Sequence, residues 1–228
     1  TKGYPVSLFA SSEKLLSRQS AVKEEVLFPP VATSLWTRMG PRFIPFAHVG
    51  NCKVREAQSS WPLFEELLRA LEQSDVFVWG KHWENFPQVR NWVGETGISG
   101  VPDIYGKALY ALGVLYPFQL ERGAFSSRYW QAPLAGCSLI CESASQTSIP
   151  GVYPWGLKDG LERARREKPD TLAVQREATN FWLAHWDQAK ARVSEALKEM
   201  PPGDTHILPQ SPSAWTSCAS FRRLYADD

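Results

Sequence analysis

Short apolar runs alternate with amphipathic stretches through the middle of the chain, and that alternation sets the expected architecture. Phe43-Ile44-Pro45-Phe46-Ala47-His48-Val49-Gly50 reads as a strand stopped by a glycine, with Pro45 better suited to its start than its middle. Trp61, Phe64, Leu67, Leu68 and Leu71 then line one helical face, with Ser59 or Ser60 as its cap. Asp75-Val76-Phe77-Val78-Trp79-Gly80 is a second strand. Val89 to Val93 fits a short helix or a strand edge, and Ile98-Ser99-Gly100-Val101 a third strand or a turn. Pro102 and Asp103 open a helix running to about Leu112, followed by a fourth strand over Gly113-Val114-Leu115-Tyr116-Pro117-Phe118. Ser126 or Ser127 starts another helix through Ala135, where Gly136 offers a left-handed cap. Ser138-Leu139-Ile140-Cys141-Glu142 is the fifth strand.

Strand, helix and strand at this spacing predict βαβ units: an α/β fold with a Rossmann-like, doubly wound parallel sheet covered on both faces. Right-handed crossovers then place ligands beyond the carboxyl ends of the strands, in the loops after Val49, Val78, Val101, Phe118 and Ile140. None of those loops carries a GxGxxG or GxxxxGK[ST] fingerprint. A long helix starting near Asp170 carries the apolar stripe Ala178, Phe181, Trp182, His185 and Trp186, and Pro201-Pro202-Gly203 stops it. Before the main body, Val6 to Phe9 and Glu25 to Phe28 read as strands around a short helix over Ser12 to Ser20. The division expected is an N-terminal extension or remnant of a preceding domain over 1–40, a Rossmann-like domain over 41–200, and a tail over 201–228. Trp215, Phe221, Leu224 and Tyr225 would pack that tail back onto the body.

Composition narrows the classes. In 228 residues, 43% hydrophobic content with ten Trp and eleven Phe supplies a core and excludes disorder along the whole chain. Lys and Arg total 25 against 24 Asp and Glu, so bulk attraction for nucleic acid is not expected. Arg163, Arg165, Arg166 and Lys168 cluster, but Glu162, Glu167 and Asp170 interleave with them, as on a solvated helix face. No apolar run approaches the roughly 20 residues of a membrane-spanning helix. Cys52, Cys137, Cys141 and Cys218 form neither a disulfide framework nor a zinc motif; as buried free thiols they fit a reducing compartment, the cytoplasm by default. The chain begins at Thr1 without a signal pattern, as a processed chain or a piece of something longer would. No carboxylate pair is placed for hydrolysis, and no GxSxG elbow occurs.

Five segments bring a resemblance. Leu27-Phe28-Pro29-Pro30-Val31-Ala32 and Phe46-Ala47-His48-Val49-Gly50-Asn51 fall in a familiar order. Val78-Trp79-Gly80-Lys81-His82-Trp83 looks like an "iyGxxW" strand end, and Ser127-Arg128-Tyr129-Trp130-Gln131-Ala132-Pro133-Leu134-Ala135-Gly136 like an "R-x-[FWY]-E-x-x-A-x-G" helix. Ala184-His185-Trp186 lies in a segment like the "H-t-W" helix near the end of the same proteins. Over residues 27 to 200, the chain resembles the C-terminal half of GT-B glycosyltransferases, the spore-maturation-type branch of group 1 in particular. The pattern departs at Gln131, where the family carries a glutamate.

The resemblance implies the donor-binding half of a transferase that moves a sugar from a nucleotide-diphosphate sugar, without a cofactor or metal, to an unknown acceptor. Such a site stabilises the departing diphosphate with backbone amides, Arg and Lys. Gly50, Asn51, Arg55, Lys81, Arg122, Ser127 and Arg128 are the diphosphate candidates; alternatively, Arg128 and Arg55 are surface or carboxylate-paired arginines. Gln131, Val101 and Tyr105 are candidates for ribose or base, and Trp83 and Glu142 for the sugar, although Tyr105 and Trp83 also suit a core and Glu142 a turn cap. No residue stands out as catalytic base: His48 lies beside the first strand's end, and His82, His185 and His206 are scattered. An N-terminal acceptor domain, a second subunit or a homo-oligomer would complete the enzyme. The competing reading is a non-catalytic binding or assembly module on the same fold.

Overall fold

The central strands of the main sheet are largely apolar on both sides and are buried there, while Trp92 and Val93 on one edge strand are exposed. In the computed structural model, which describes residues 7–10, 23–26, 40–52, 62–115, 126–143 and 148–198, six strands run parallel. They are β3 (Ile44–Val49), β4 (Val76–Trp79), β5 (Trp92–Gly94), β6 (Ala108–Leu112), β7 (Ser138–Ile140) and β8 (Val152–Tyr153). Their spatial order is β5-β4-β3-β6-β7-β8, the doubly wound order in which the winding reverses between β3 and β6. Ile44 pairs with Ala108, and Phe46 with Tyr110, across that junction. Two earlier strands, β1 (Ser7–Ala10) and β2 (Lys23–Val26), form a separate parallel pair.

Helices cover both faces. On one, α1 (Pro62–Leu71) and α4 (Leu157–Arg166) bury Phe64, Leu67, Leu71, Leu157 and Leu161 against Phe46, Val76 and Val78. On the other, α2 (Val101–Lys107), α3 (Arg128–Leu134) and α5 (Thr171–Lys198) bury Tyr105, Tyr129, Ala132, Ala178 and Trp182 over Ala47, Ala111 and Leu139. Arg42, just before β3, ties this layer together by donating to the carbonyls of Tyr105 (3.1 Å), Ala108 (2.5 Å) and Ala135 (2.6 Å). The α5 start is capped by Asp170, whose Oδ1 accepts the Leu172 and Ala173 amides at 3.1 and 3.0 Å.

Gly136 ends α3 as expected. With φ +73, its amide donates to Pro133 O (2.8 Å) and the Cys137 amide to Ala132 O (2.9 Å), both bonds of a Schellman cap. Pro133 stands in the last turn of this short helix, where it withholds the N–H that would have bonded the Tyr129 carbonyl.

The largest displacement from expectation is β6. The helix after Pro102 stops at Lys107, and the next strand takes Ala108–Leu112 instead of starting at Gly113. A short buried apolar run satisfies helix and strand patterns alike; here Ala108, Tyr110, Ala111 and Leu112 are needed to fill the sheet's centre. Of the region predicted as strand, 116–118 lie outside the described residues. Ile98–Gly100 is a single 3-10 turn, β5 takes the strand option for the segment near Val93, and β8 was not expected. β2 begins two residues earlier than read and 27–28 lie outside the described residues, as do the helix over Ser12 to Ser20 and the tail beyond 198.

Candidate functional site

The winding reverses at the carboxyl ends of β3 and β6, the switch point beside which doubly wound sheets form a crevice, and Arg128 lies across it. As the first residue of α3, Arg128 reaches back over both strand ends: Nε donates to Val49 O at 2.8 Å and Nη1 to Val114 O at 3.4 Å. Glycines clear its path. A Cβ at Gly50 would overlap Arg128 Nη2, and one at Gly113 would stand 3.3 Å from Arg128 Cδ. Among the described residues no carboxylate pairs with this guanidinium, and Nη2 has no protein partner. A positive charge at the switch point is thus oriented by backbone carbonyls, without a carboxylate partner among the described residues.

His48 lies beside it. The imidazole is 2% exposed, its Nδ1 is 3.0 Å from Leu112 O, and the Trp83 ring meets it edge-on at 5.4 Å. Burial, with the neighbouring Arg128 charge adding to it, pushes its pKa down to about 3 against the opposing pull of the Leu112 carbonyl. A neutral ring facing a carbonyl must carry its hydrogen on Nδ1, so the lone pair sits on Nε2, on the side of Gly50.

The loops after β3 and β4 are stitched into one unit. Gly50 N donates to Trp79 O (2.9 Å), Lys81 N to Asn51 Oδ1 (2.9 Å), and Cys52 N to Lys81 O (2.8 Å). Two indoles hold the glycine carbonyls: Trp83 Nε1 donates to Gly50 O at 2.7 Å, and Trp92 Nε1 to Gly80 O at 3.0 Å. Gly80 has φ +137, and a Cβ there would collide with the Gly50 carbonyl, so both the conformation and the approach demand glycine.

Of the diphosphate candidates, Gly50, Asn51, Lys81 and Arg128 come together around this crevice. Asn51 is exposed, and Lys81 Nζ pairs at 3.5 Å with Glu95 on the surface. Ser127 precedes α3 without capping it, and Ser126 Oγ accepts the Arg128 amide instead, at 3.5 Å. Arg55 and Arg122 fall outside the described residues. Gln131 follows Arg128 by one turn and is 9% exposed.

Four other candidates are placed as structure rather than contact surface. Val101 (7% exposed) and Tyr105 (0%) belong to the core beneath α2, which leaves the Tyr105 ring no face for a base. Trp83 supports the Gly50 loop from below and offers no face to a sugar. Glu142 is 1% exposed: Oε1 accepts the Tyr129 hydroxyl at 3.1 Å and Oε2 the Leu115 amide at 3.2 Å. The low-dielectric interior holds Glu142 and the Trp83 indole to local partners, whereas the buried Tyr105 hydroxyl has none among the described residues. The basic cluster on α4 is exposed, with Arg163 paired to Glu167 and Arg165 to Asp75. Gly113 and the peptide after Val114 were missed, because β6 had been read as beginning where it has already ended.

No family model matches the chain, and no curated protein resembles it in sequence. Among solved structures, AviGT4, a glycosyltransferase involved in avilamycin A biosynthesis, superposes with a TM-score of 0.53 at 18% identity, over 82% of this chain and 61% of its own. The GtfA/B complex matches with a TM-score of 0.49 at 13% identity, over 83% of this chain and 46% of its own. The chain therefore spans less than two thirds of the length of either. At that identity the likeness to AviGT4 speaks for the fold: an α/β unit whose parallel sheet is flanked by helices, consistent with one Rossmann-like half of the GT-B architecture.

Proposed function

We propose that this chain is the donor-binding half of a GT-B-type glycosyltransferase and that its β3–β6 crevice takes the diphosphate of a nucleotide sugar. The observation that carries the reading is Arg128, a guanidinium aimed by two carbonyls into the switch point, with glycines on both sides and no carboxylate partner among the described residues. Anions bind at such crevices in doubly wound sheets, and AviGT4, of like fold, is a glycosyltransferase. In sugar transfer the bond between the anomeric carbon and the phosphate oxygen breaks, and negative charge accumulates on the departing diphosphate. A preoriented guanidinium stabilises that charge more than it stabilises the bound donor, and Lys81 adds a second cation at the rim.

Proton removal from an acceptor is assigned to a unit beyond this one. His48 is buried and neutral beside a cation, and both oxygens of Glu142 are engaged within the protein. The same observation favours the second reading, a module that binds nucleotide sugar without transferring it alone.

Isothermal titration with UDP, GDP and ADP tests the proposal. One diphosphate should bind in roughly the micromolar to millimolar range. Arg128→Lys should weaken it at least about ten-fold, because an ammonium cannot span two carbonyls and still present a donor pair. A folded protein that binds none of the three overturns the donor-site reading.

A further inference from the structure

The Val114–Leu115 peptide is gripped from both ends. Its carbonyl accepts Arg128 Nη1 at 3.4 Å, while its N–H donates to Glu142 Oε2 at 3.2 Å. The other oxygen of the same carboxylate accepts the hydroxyl of Tyr129, the residue that follows Arg128 in α3, at 3.1 Å. These contacts close a ring: carboxylate, peptide, guanidinium, the α3 backbone, tyrosine, and carboxylate again. Glu142 and Tyr129 are each 1% exposed, so the carboxylate side of the ring is shielded from water, while Arg128 is half-buried.

A carboxylate bonded to a peptide N–H raises the electron density on the carbonyl of that same peptide, and a chain of such bonds polarises cooperatively in a low dielectric. The carbonyl that Arg128 uses is therefore a stronger acceptor than an ordinary one, and its direction is fixed. We propose that Glu142 is a positioning residue for Arg128: through the Val114–Leu115 peptide and through Tyr129 it aims the guanidinium at the anionic group in the crevice. This rests on the reading of Arg128 as the diphosphate anchor and gives Glu142 a part in the same site without contact with the ligand. It also accounts for a buried carboxylate whose two oxygens serve two elements of the crevice wall, the end of β6 and the start of α3.

The test separates the two claims. The Arg128 Nε–H, assigned by its disappearance in Arg128→Lys, is followed by proton–nitrogen NMR for its rate of exchange with water, with no ligand present. Tyr129→Phe removes one arm of the ring while keeping the aromatic core, and Glu142→Gln replaces the acceptor pair by one acceptor and one donor. Each should speed Arg128 Nε–H exchange by about ten-fold or more, the size of one charge-assisted hydrogen bond. The Nε–H of Arg165, bonded to Asp75 on a distant helix, reports any general loosening and should move much less. In parallel, the affinity for the nucleoside diphosphate that the wild type binds should fall by a similar factor in both variants. Equal acceleration at Arg128 and Arg165 means that Glu142 supports the fold generally, and the positioning role is then wrong. Selective acceleration in a wild type that binds no diphosphate keeps the mechanical coupling but removes the ligand from the proposal. Should Glu142→Gln not fold, Tyr129→Phe decides alone.

Discussion

Two glycines at the crevice should respond to the same substitution to different extents and for different reasons. Gly50 lacks the left-handed backbone, so alanine fits its conformation, and what its Cβ meets is the far end of a flexible side chain, Arg128 Nη2. The unfolded chain loses freedom, which stabilises by about 0.4–1 kcal/mol. Against this, the displaced guanidinium gives up its bonds to Val49 and Val114, each worth about 1.5–3 kcal/mol when made to a charged donor but partly replaced by water at this half-buried position. The net cost of Gly50→Ala is about 1–2 kcal/mol. Gly80 is different: at φ +137 a side chain carries about 1–3 kcal/mol of strain, and the new Cβ meets the Gly50 carbonyl, which is backbone already held by the Trp83 indole. Parting the two loops also breaks the Gly50–Trp79 and Cys52–Lys81 bonds, so Gly80→Ala should cost about 4 kcal/mol. Urea unfolding gives both stabilities, and titration calorimetry gives the affinity of Gly50→Ala for the diphosphate that the wild type binds. Gly50→Ala should stay folded and lose most of that affinity. The reasoning is refuted if the two variants are equally destabilised, or if Gly50→Ala binds as tightly as the wild type.

His48 makes stability depend on pH with a definite sign. Its folded pKa of about 3 lies below the unfolded value of about 6.5, so only the unfolded chain takes up a proton between them, and stability should fall as pH drops through that window. The loss amounts to on the order of a few kcal/mol, and His48→Gln should flatten the difference between unfolding at pH 7 and at pH 4.5; an unaltered difference counts against the buried neutral imidazole. Glu66 of α1 caps α4 by accepting the Leu157 amide at 2.7 Å, and Glu66→Ala should lower stability by about 1 kcal/mol in denaturant titrations, with an unchanged midpoint as the contrary result. Cys52, Cys137 and Cys141 are buried, with burial pushing the Cys52 thiol up to about 11, so peptide mapping after iodoacetamide at pH 7 should find them modified only once the protein is unfolded.

Half of the sheet, β3, β4 and β7, was legible because parallel strands buried on both faces leave continuous apolar runs, two of them ending at glycines, at Val49-Gly50 and Trp79-Gly80. The α3 cap was legible for a similar reason, since Gly136 is the only residue type that takes its conformation cheaply. The α2–β6 boundary was not, because Ala108 to Leu112 satisfies helix and strand patterns equally, and only the demand of β3 and β7 for a partner between them decides it. That error concealed Gly113 and the peptide held by Glu142. That Arg128 and Gly50 would lie together at the strand ends could be read from type and position. The burial of Trp83, Tyr105 and Glu142 could not, because a polar aromatic or a carboxylate reads the same in sequence whether it faces a ligand or a neighbouring amide.

Every pairing in the six-stranded sheet is parallel, so none of its strands can meet a neighbour through a tight hairpin. The junction that bears Arg128 is the most demanding, because β3 must find β6 across the whole of α1, β4, β5 and α2. Closing so long a loop before its contacts reward it makes this a late event in folding. The crevice is then a product of the two halves meeting and exists in neither alone. A nascent chain released before β6 is made would hold half a sheet with its central edge bare, and binding of an anion at Arg128 would report that assembly is complete.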